Sequence, residues 1–516
     1  MAKLMLPYLK EYCDSSSLHG IRYLTDPKLQ NFEKVIWVLL LIATTICATL
    51  VYIDLTERYN SVRIHTTIED SMLPIFYSPF PSVGLCLRNR INLRKLQHEA
   101  VEHFLGTNAS AADREIFVRF FTAASEVHLN RMYVMGKFFN NATLAMAVSR
   151  LDHLNVSEVL RYARLDCKDF FVECNWRGQS HNCCEIFEHE RTEAGYCWVF
   201  NSAVSPKMRQ RAKNDKYYPL HTPNSGEGTG LDVFMRLNKS LILPGVRGVY
   251  LMIKQPDQWS DEVRLVTHNT HTKISIVPRY TSTEQRTRSV TPTERHCIFD
   301  DETNDHRYKK LPGLKYWKGN CRSRCHQEHV DRLCRCTPML LFPISDDDNF
   351  TDCKPSEFKC LYDNRDTFRV ERHAMETLYV DSVYKDSMIC DCLNSCVQLI
   401  FETVHSSTPL DFNETGVEMG TMRLDIFFQS SFFIKYQTRM RFTFVELLAS
   451  FGGIIGLFLG ASLLSAIELV YYFTMGLYFY LHGNWKLQQQ QNSVQKLQHT
   501  QTIQPRPRVS KNKLVN

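Results

Sequence analysis

The sequence predicts an α+β membrane protein in which two transmembrane helices are joined by a large disulfide-rich extracellular domain. Three observations predict it. Two long apolar runs lie near the ends of the chain, Val35 to Ile53 and Leu447 to Leu481. Sixteen of the 18 cysteines lie between them, an even number. All six Asn-x-Ser/Thr sequons, at Asn108, Asn141, Asn155, Asn238, Asn349 and Asn413, lie there as well. Sequons and cysteines gathered in one region mark an oxidising, glycosylating compartment. With 516 residues, 44% of them apolar, and a mean hydropathy of -0.28, the chain is a large polar body with few spans.

The first run, VIWVLLLIATTICATLVYI, begins after 34 residues and lacks a small-x-small cleavage site, so it reads as an uncleaved anchor and not a signal peptide. The second holds 35 residues with Glu468 as the only charged side chain. As one helix it would be roughly 50 Å long, whereas a bilayer core needs about 20 residues, so it is either broken or overlong. Its first half is crowded with Gly452, Gly453, Gly456, Gly460, Ala461 and Ser462, including two small-xxx-small pairs. Small residues let helices approach closely, which is the plain packing reading. If several copies met around an axis, the same residues would turn backbone carbonyls and the Ser462 hydroxyl to a lumen, where they replace part of a cation's hydration shell. A carboxylate at membrane depth, Glu468, is costly and faces water or a partner.

The chain divides into a cytoplasmic segment 1–34, a first span 35–53, an extracellular domain 54–445, a second, pore-lining span 446–481 and a tail 482–516. The tail carries Lys486, Lys496, Arg506, Arg508, Lys511 and Lys513 and no acid, which accounts for the whole formal charge of +6. That bias marks a cytoplasmic flank. A helical hairpin within the second run would put the tail outside, so one interrupted or extended helix is expected, with both termini inside. The Gln-rich tail reads as disordered.

Along the rest of the chain, Ser15-Ser16-Ser17-Leu18-His19-Gly20 reads as a turn or helix cap. Leu96 to about Leu165 is helix-like, with apolar residues at three- and four-residue spacing. The stretches VFMRLN, VYLMIK and KISIVP read as strands of an extracellular sheet. Cys321-x3-Cys325, Cys334-x-Cys336 and Cys390-x-Cys392-x3-Cys396 would suggest zinc in a cytosolic chain. Outside the cell they read as disulfides, and no metal or cofactor is expected.

The run FGGIIGLFLGASLLSAIEL, through Gly452, Gly453, Gly456, Gly460-Ala461-Ser462 and Glu468, resembles the second transmembrane segment of the degenerin/epithelial sodium channel family, whose filter motif is Gly-x-Ser. Ser-x-x-His19-Gly20 resembles its cytoplasmic gating motif. FPSVGLCLRNRI with Cys86, Cys174-Asn-Trp-Arg-Gly178 and Gly195-Tyr-Cys-Trp-Val-Phe-Asn201 resemble elements of its extracellular body. Tyr471 stands where some relatives carry a second acidic residue, and the family's Pro near Asn394 is missing. The likeness covers about four-fifths of the chain and is strongest to insect pickpocket-type members.

The resemblance implies a trimer, homomeric or built with related subunits, whose body has palm, thumb, finger and knuckle parts. It implies sodium-selective, amiloride-sensitive conduction across the plasma membrane of sensory or epithelial cells, gated through the extracellular domain. It assigns Gly460, Ala461 and Ser462 to ion selectivity, Glu468 to the pore, and His19, Gly20 and Ala449 to gating. Ala449 falls where bulky residues lock degenerin channels open. It also implies disulfides 297 with 396, 321 with 392, 325 with 390, 334 with 360, 336 with 353 and 86 with 197, while Cys167 and Cys174 take Cys183 and Cys184 in an open order.

Two other classes share parts of the pattern. An ATP-gated trimeric channel predicts clustered lysines after the first span, where this chain has Arg58 and Arg63, and no Gly-x-Ser. A two-span ecto-enzyme would need a catalytic motif, and no P-loop, G-x-S-x-G or H-E-x-x-H is present; His326-Gln-Glu-His329 has the wrong spacing. The chain is expected to be no enzyme and to bind no nucleic acid.

Overall fold

The computed structural model describes residues 2–61, 63–87, 91–237, 247–343, 350–372, 386–410 and 420–483. Asn238, Asn349, Asn413 and the basic tail beyond residue 483 lie outside them. The chain forms two compact units, Met1–His65 with Met440–Asn516, and Thr66–Arg439.

The larger unit is built on two sheets. One runs in the order Ile64–Pro74, Phe432–Met440, Thr270–Thr283, Thr421–Phe428, Leu231–Arg236, Phe171–Trp176, Gln179–His181, with Val397–Pro409 antiparallel to Thr270–Thr283. The other is antiparallel throughout, in the order Phe187–Thr192, Gly195–Phe200, Ser82–Cys86, Gly248–Lys254, Val263–Thr267. The three apolar stretches expected in one sheet are thus divided between two. Alternation shows that a strand has one buried face, and says nothing of which strand lies beside it. Leu231, Val233 and Met235 alternate with less buried neighbours and share one core with Ile274, Ile276, Leu424 and Ile426 of their own sheet and Val83, Leu85, Val249 and Leu251 of the other. Phe80 lies in this core, edge-on to Trp176 at 4.8 Å and to Phe428 at 5.3 Å, geometries that suit the ring quadrupole.

The helix-like region becomes a succession of short helices, the longest Ala111–Ser125. Side-chain caps reset the chain: Ser110 caps that helix, Asn141 caps Ala142–Ser149 and Asn155 caps Val156–Tyr162, each satisfying backbone N–H groups that a helix start leaves open. Phe117, Phe120 and Phe121 pack with Phe138, Val159 and Leu160 and with Val330, Phe358 and Phe368, so these helices share a core with Lys318–Cys334 and the turns after it. Within helix Lys318–Cys334, buried His326 places Nδ1 3.2 Å from Glu193 and Nε2 3.0 Å from Glu371. Burial opposes charge on the ring, but the two carboxylates outweigh it and hold the pKa up at about 9.

Eight disulfides join Cys86–Cys197, Cys167–Cys184, Cys174–Cys183, Cys297–Cys396, Cys321–Cys392, Cys325–Cys390, Cys334–Cys360 and Cys336–Cys353. The order left open is therefore 167 with 184 and 174 with 183. Cys325, His329 and Cys390 offer donor atoms within 4.8 Å of one another. Two of those three atoms are the sulfurs of one disulfide, which does not present thiolates to a metal. Asn108, Asn141 and Asn155 are exposed.

The smaller unit contains the helix Asn31–Ser61, which extends beyond the apolar run at both ends, and a second apolar helical segment in two pieces. Asn31–Asn60 and Leu463–Gly483 are each long and apolar enough to cross a membrane, and Phe444–Leu459 is a shorter apolar helix.

Candidate pore break and the N-terminal segment against it

The second apolar segment breaks at Gly460-Ala461-Ser462. Helix Phe444–Leu459 starts with a reciprocal cap, Glu446 N–H donating to Thr443 Oγ1 at 3.2 Å and Thr443 N–H to Glu446 Oε2 at 2.8 Å. It ends because Gly460 turns left-handed, φ 61° and ψ 19°, with its N–H on Gly456 O at 3.0 Å, a conformation that glycine enters at little cost. Two residues later Ser462 starts the next helix, its Oγ accepting from Ser465 N–H at 3.3 Å while Ser465 Oγ accepts from Ser462 N–H at 3.1 Å. The Gly-x-Ser sequence is thus a stop signal followed at once by a start signal. Among the described residues, the Gly460 and Ala461 carbonyls accept no backbone hydrogen bond.

The segment between helices Ala2–Ser15 and Asn31–Ser61 lies against this break. His19 N–H donates to Leu459 O at 3.3 Å. The His19 ring fills the space a side chain at Gly460 would need: a Cβ there would lie 2.0 Å from Nδ1. Gly20 has φ +86° and packs on Leu41, and Tyr23 stacks on Trp37 at 4.3 Å, tying the same segment to the first span. Ser17 Oγ lies 2.8 Å from Ser465 Oγ and donates to Glu468 Oε2 at 2.5 Å. Ser462, Ser465, Ser17 and Glu468 therefore form one chain of polar contacts, since Ser462 Oγ is 3.3 Å from Ser465 Oγ. Further along, Tyr8 O–H donates to Tyr472 O at 2.6 Å, and Tyr12 meets Tyr472 and Phe473 edge-on.

Of the residues singled out in the sequence, His19, Gly20, Gly460, Ala461, Ser462 and Glu468 are brought together. Ala449 is not; it lies exposed two turns and more upstream, on the helix that also exposes Gly452, Gly453 and Gly456. No side chain of the described residues comes within 4 Å of where a Cβ at Gly452 or Gly453 would lie, whereas Phe451 meets Tyr52 of the first span at 4.9 Å. Sequence reasoning missed Ser17 and Ser465. The cluster of three serines was visible, but which of them would meet a carboxylate some 450 positions away in the chain was not.

A model of the family described as amiloride-sensitive sodium channel matches residues 12–472. The chain belongs to that family. It is similar to pickpocket protein 19 of Drosophila melanogaster, 27% identical over 90% of this chain and 91% of that protein. The sodium channel protein Nach of Drosophila ananassae is 24% identical over 90% of this chain and 86% of its own length. Acid-sensing ion channel 1A of Danio rerio is 23% identical over 90% and 87%. Family and relatives are ion channels and not enzymes, which removes the ecto-enzyme alternative. With two apolar spanning-length helices and eight disulfides between them, the amiloride-sensitive sodium channel family member is a two-span protein with a disulfide-rich extracellular domain.

Proposed function

We propose that this chain is a subunit of a sodium-selective, amiloride-sensitive cation channel of the plasma membrane, working in sensory or epithelial cells with both termini in the cytoplasm. It assembles as a trimer, with itself or with related subunits, because a single broken helix encloses no lumen. Gly460, Ala461 and Ser462 set selectivity, Glu468 lies in the pore, and His19, Gly20 and Ala449 govern gating. The observation that carries this reading is the break itself: two successive backbone carbonyls that accept no backbone hydrogen bond among the described residues, next to a serine hydroxyl, form an oxygen-rich ring once three copies meet. The open small-residue face around Gly452 and Gly453 is where neighbouring copies approach.

Two-electrode recording from cells expressing the chain, alone and with related subunits, tests it. Expected is a current carried by sodium in preference to potassium, reduced by amiloride, and lost or unselective in Ser462→Leu at unchanged surface protein. Normal sodium selectivity in Ser462→Leu would remove this residue from the filter.

A further inference from the structure

The larger unit holds a cavity of about 790 Å³ far in sequence from the pore segments, lined by Asn155, Ser157, Glu158, Arg161, Arg164, His189, Arg191, Tyr196, Pro206, Pro343 and Asp352. Its chemistry is unusual in one respect. Three guanidiniums face it, and the hydrogen bonds of Arg164 and Arg191 go to a histidine, a serine and a backbone carbonyl instead of a carboxylate, although Asp352 and Glu158 share the wall. Asp352 is taken instead by neutral donors, Asn155 Nδ2 at 3.1 Å and Ser157 Oγ at 3.4 Å.

Arg191 donates from its two Nη atoms to Ser157 Oγ at 3.4 Å and to Pro338 O at 2.8 Å. Its Nε is buried and, among the described residues, has no hydrogen-bond partner, a costly state for a group that carries charge. Arg164 points Nη1 at His189 Nδ1, 3.4 Å away. Burial, and then Arg164 beside it, push the His189 pKa down to about 3, so this ring is neutral and adds no positive charge while accepting from the guanidinium. Tyr196 stacks on His189 at 5.1 Å and gives the cavity an aromatic wall. The cavity is therefore lined by three guanidiniums, with the unpartnered Arg191 Nε buried behind them, against an apolar and aromatic side.

We propose that this cavity binds a small organic oxyanion, a molecule whose carboxylate or phosphate group meets Arg191, Arg164 and Arg161 while its body rests on Tyr196 and His189. Planar guanidiniums match such groups with paired hydrogen bonds, and the volume lies in the range of small-molecule sites. Its walls come from the helix Val156–Tyr162, from two strands of the five-stranded sheet and from the segment after helix Lys318–Cys334. An occupant therefore braces three parts of the body against one another, and stabilises the arrangement in which they meet.

The test is direct binding to the purified full chain in whatever assembly it forms, with citrate as the carboxylate probe and pyrophosphate as the phosphate probe, at constant ionic strength against chloride. Expected is saturable binding of at least one probe and a rise in melting temperature, each weakened roughly tenfold or more by Arg161→Gln and by Arg164→Gln. Which probe binds decides between the carboxylate and phosphate forms of the ligand. Arg119→Gln, a surface substitution outside the cavity, should leave both unchanged. Arg161 is exposed, so its substitution spares the fold and keeps the test clean. Absence of binding by both probes, or equal affinity in wild type and in Arg161→Gln and Arg164→Gln, overturns the assignment.

Discussion

Replacing Gly460 by alanine strikes the break in two ways that can be separated. The backbone at Gly460 is left-handed, φ 61°, which costs an L-residue about 1 kcal/mol or a little more. The new Cβ would also lie 2.0, 2.3 and 2.6 Å from Nδ1, Cγ and Cε1 of His19. No ring tolerates that approach, so His19 must move, and with it the hydrogen bond from His19 N–H to Leu459 O, worth about 1 kcal/mol net. Together these come to about 2–3 kcal/mol, a shift of roughly 30- to 150-fold against the packed arrangement. The assay needs a readout of packing besides current, and Cys13 provides one: it is a free, half-buried thiol on the N-terminal helix. In a Cys47→Ala background and permeabilised cells, Gly460→Ala should raise the rate of Cys13 alkylation and lower current per surface channel. Adding His19→Ala removes the clash but not the backbone strain, so the double variant should recover about 1 kcal/mol of the loss, an energetic coupling that independent sites do not show. Unchanged Cys13 reactivity in Gly460→Ala, or losses in the double variant that simply add, would refute the contact between the His-Gly segment and the break.

Ala449→Phe or Ala449→Val should give a constitutive sodium leak, because overpacking a closed axis while sparing the open one shifts the balance about tenfold per 1.4 kcal/mol of differential cost; wild-type closed behaviour in a surface-expressed variant would contradict it. Ser17→Ala and Glu468→Gln should alter conductance non-additively, since one hydroxyl at 2.5 Å serves one carboxylate, and fully additive effects would sever that pair. His326 has a raised pKa, so its ion pairs stabilise the fold fully below the unfolded value of about 6.5 and less as pH rises through about 9. Melting temperature of the purified chain should therefore fall over that window, and the fall should flatten in His326→Gln; the same slope in both would show that other groups cause it. Peptide mapping under non-reducing conditions should recover Cys167 joined to Cys184 and Cys174 joined to Cys183, and the opposite pairing would contradict that order.

The two spans, the oxidised body between them and the family itself were legible in the residues, because a bilayer imposes length and apolarity locally and because sequons gathered with an even number of cysteines mark an oxidising compartment. Whether the second span is broken or merely long was not decidable from its length, and the left-handed Gly460 decides it. Partners across the chain were beyond reach for the same reason throughout: side-chain period tells which face of a strand or helix is buried, never what lies opposite. So VYLMIK was read as a strand, but not as a member of a second sheet. Lys254, at the end of that stretch, is fully buried, donating to the carbonyls of Gln258 and Trp259 with Glu190 at 3.4 Å. Likewise His326 between two carboxylates, Ser17 on Glu468 and three arginines around one cavity exist only because long-range packing carries them together. Composition and spacing fix what each segment is able to bury; a charge acquires its partner, and with it a pKa and a role, only when the chain has closed around it.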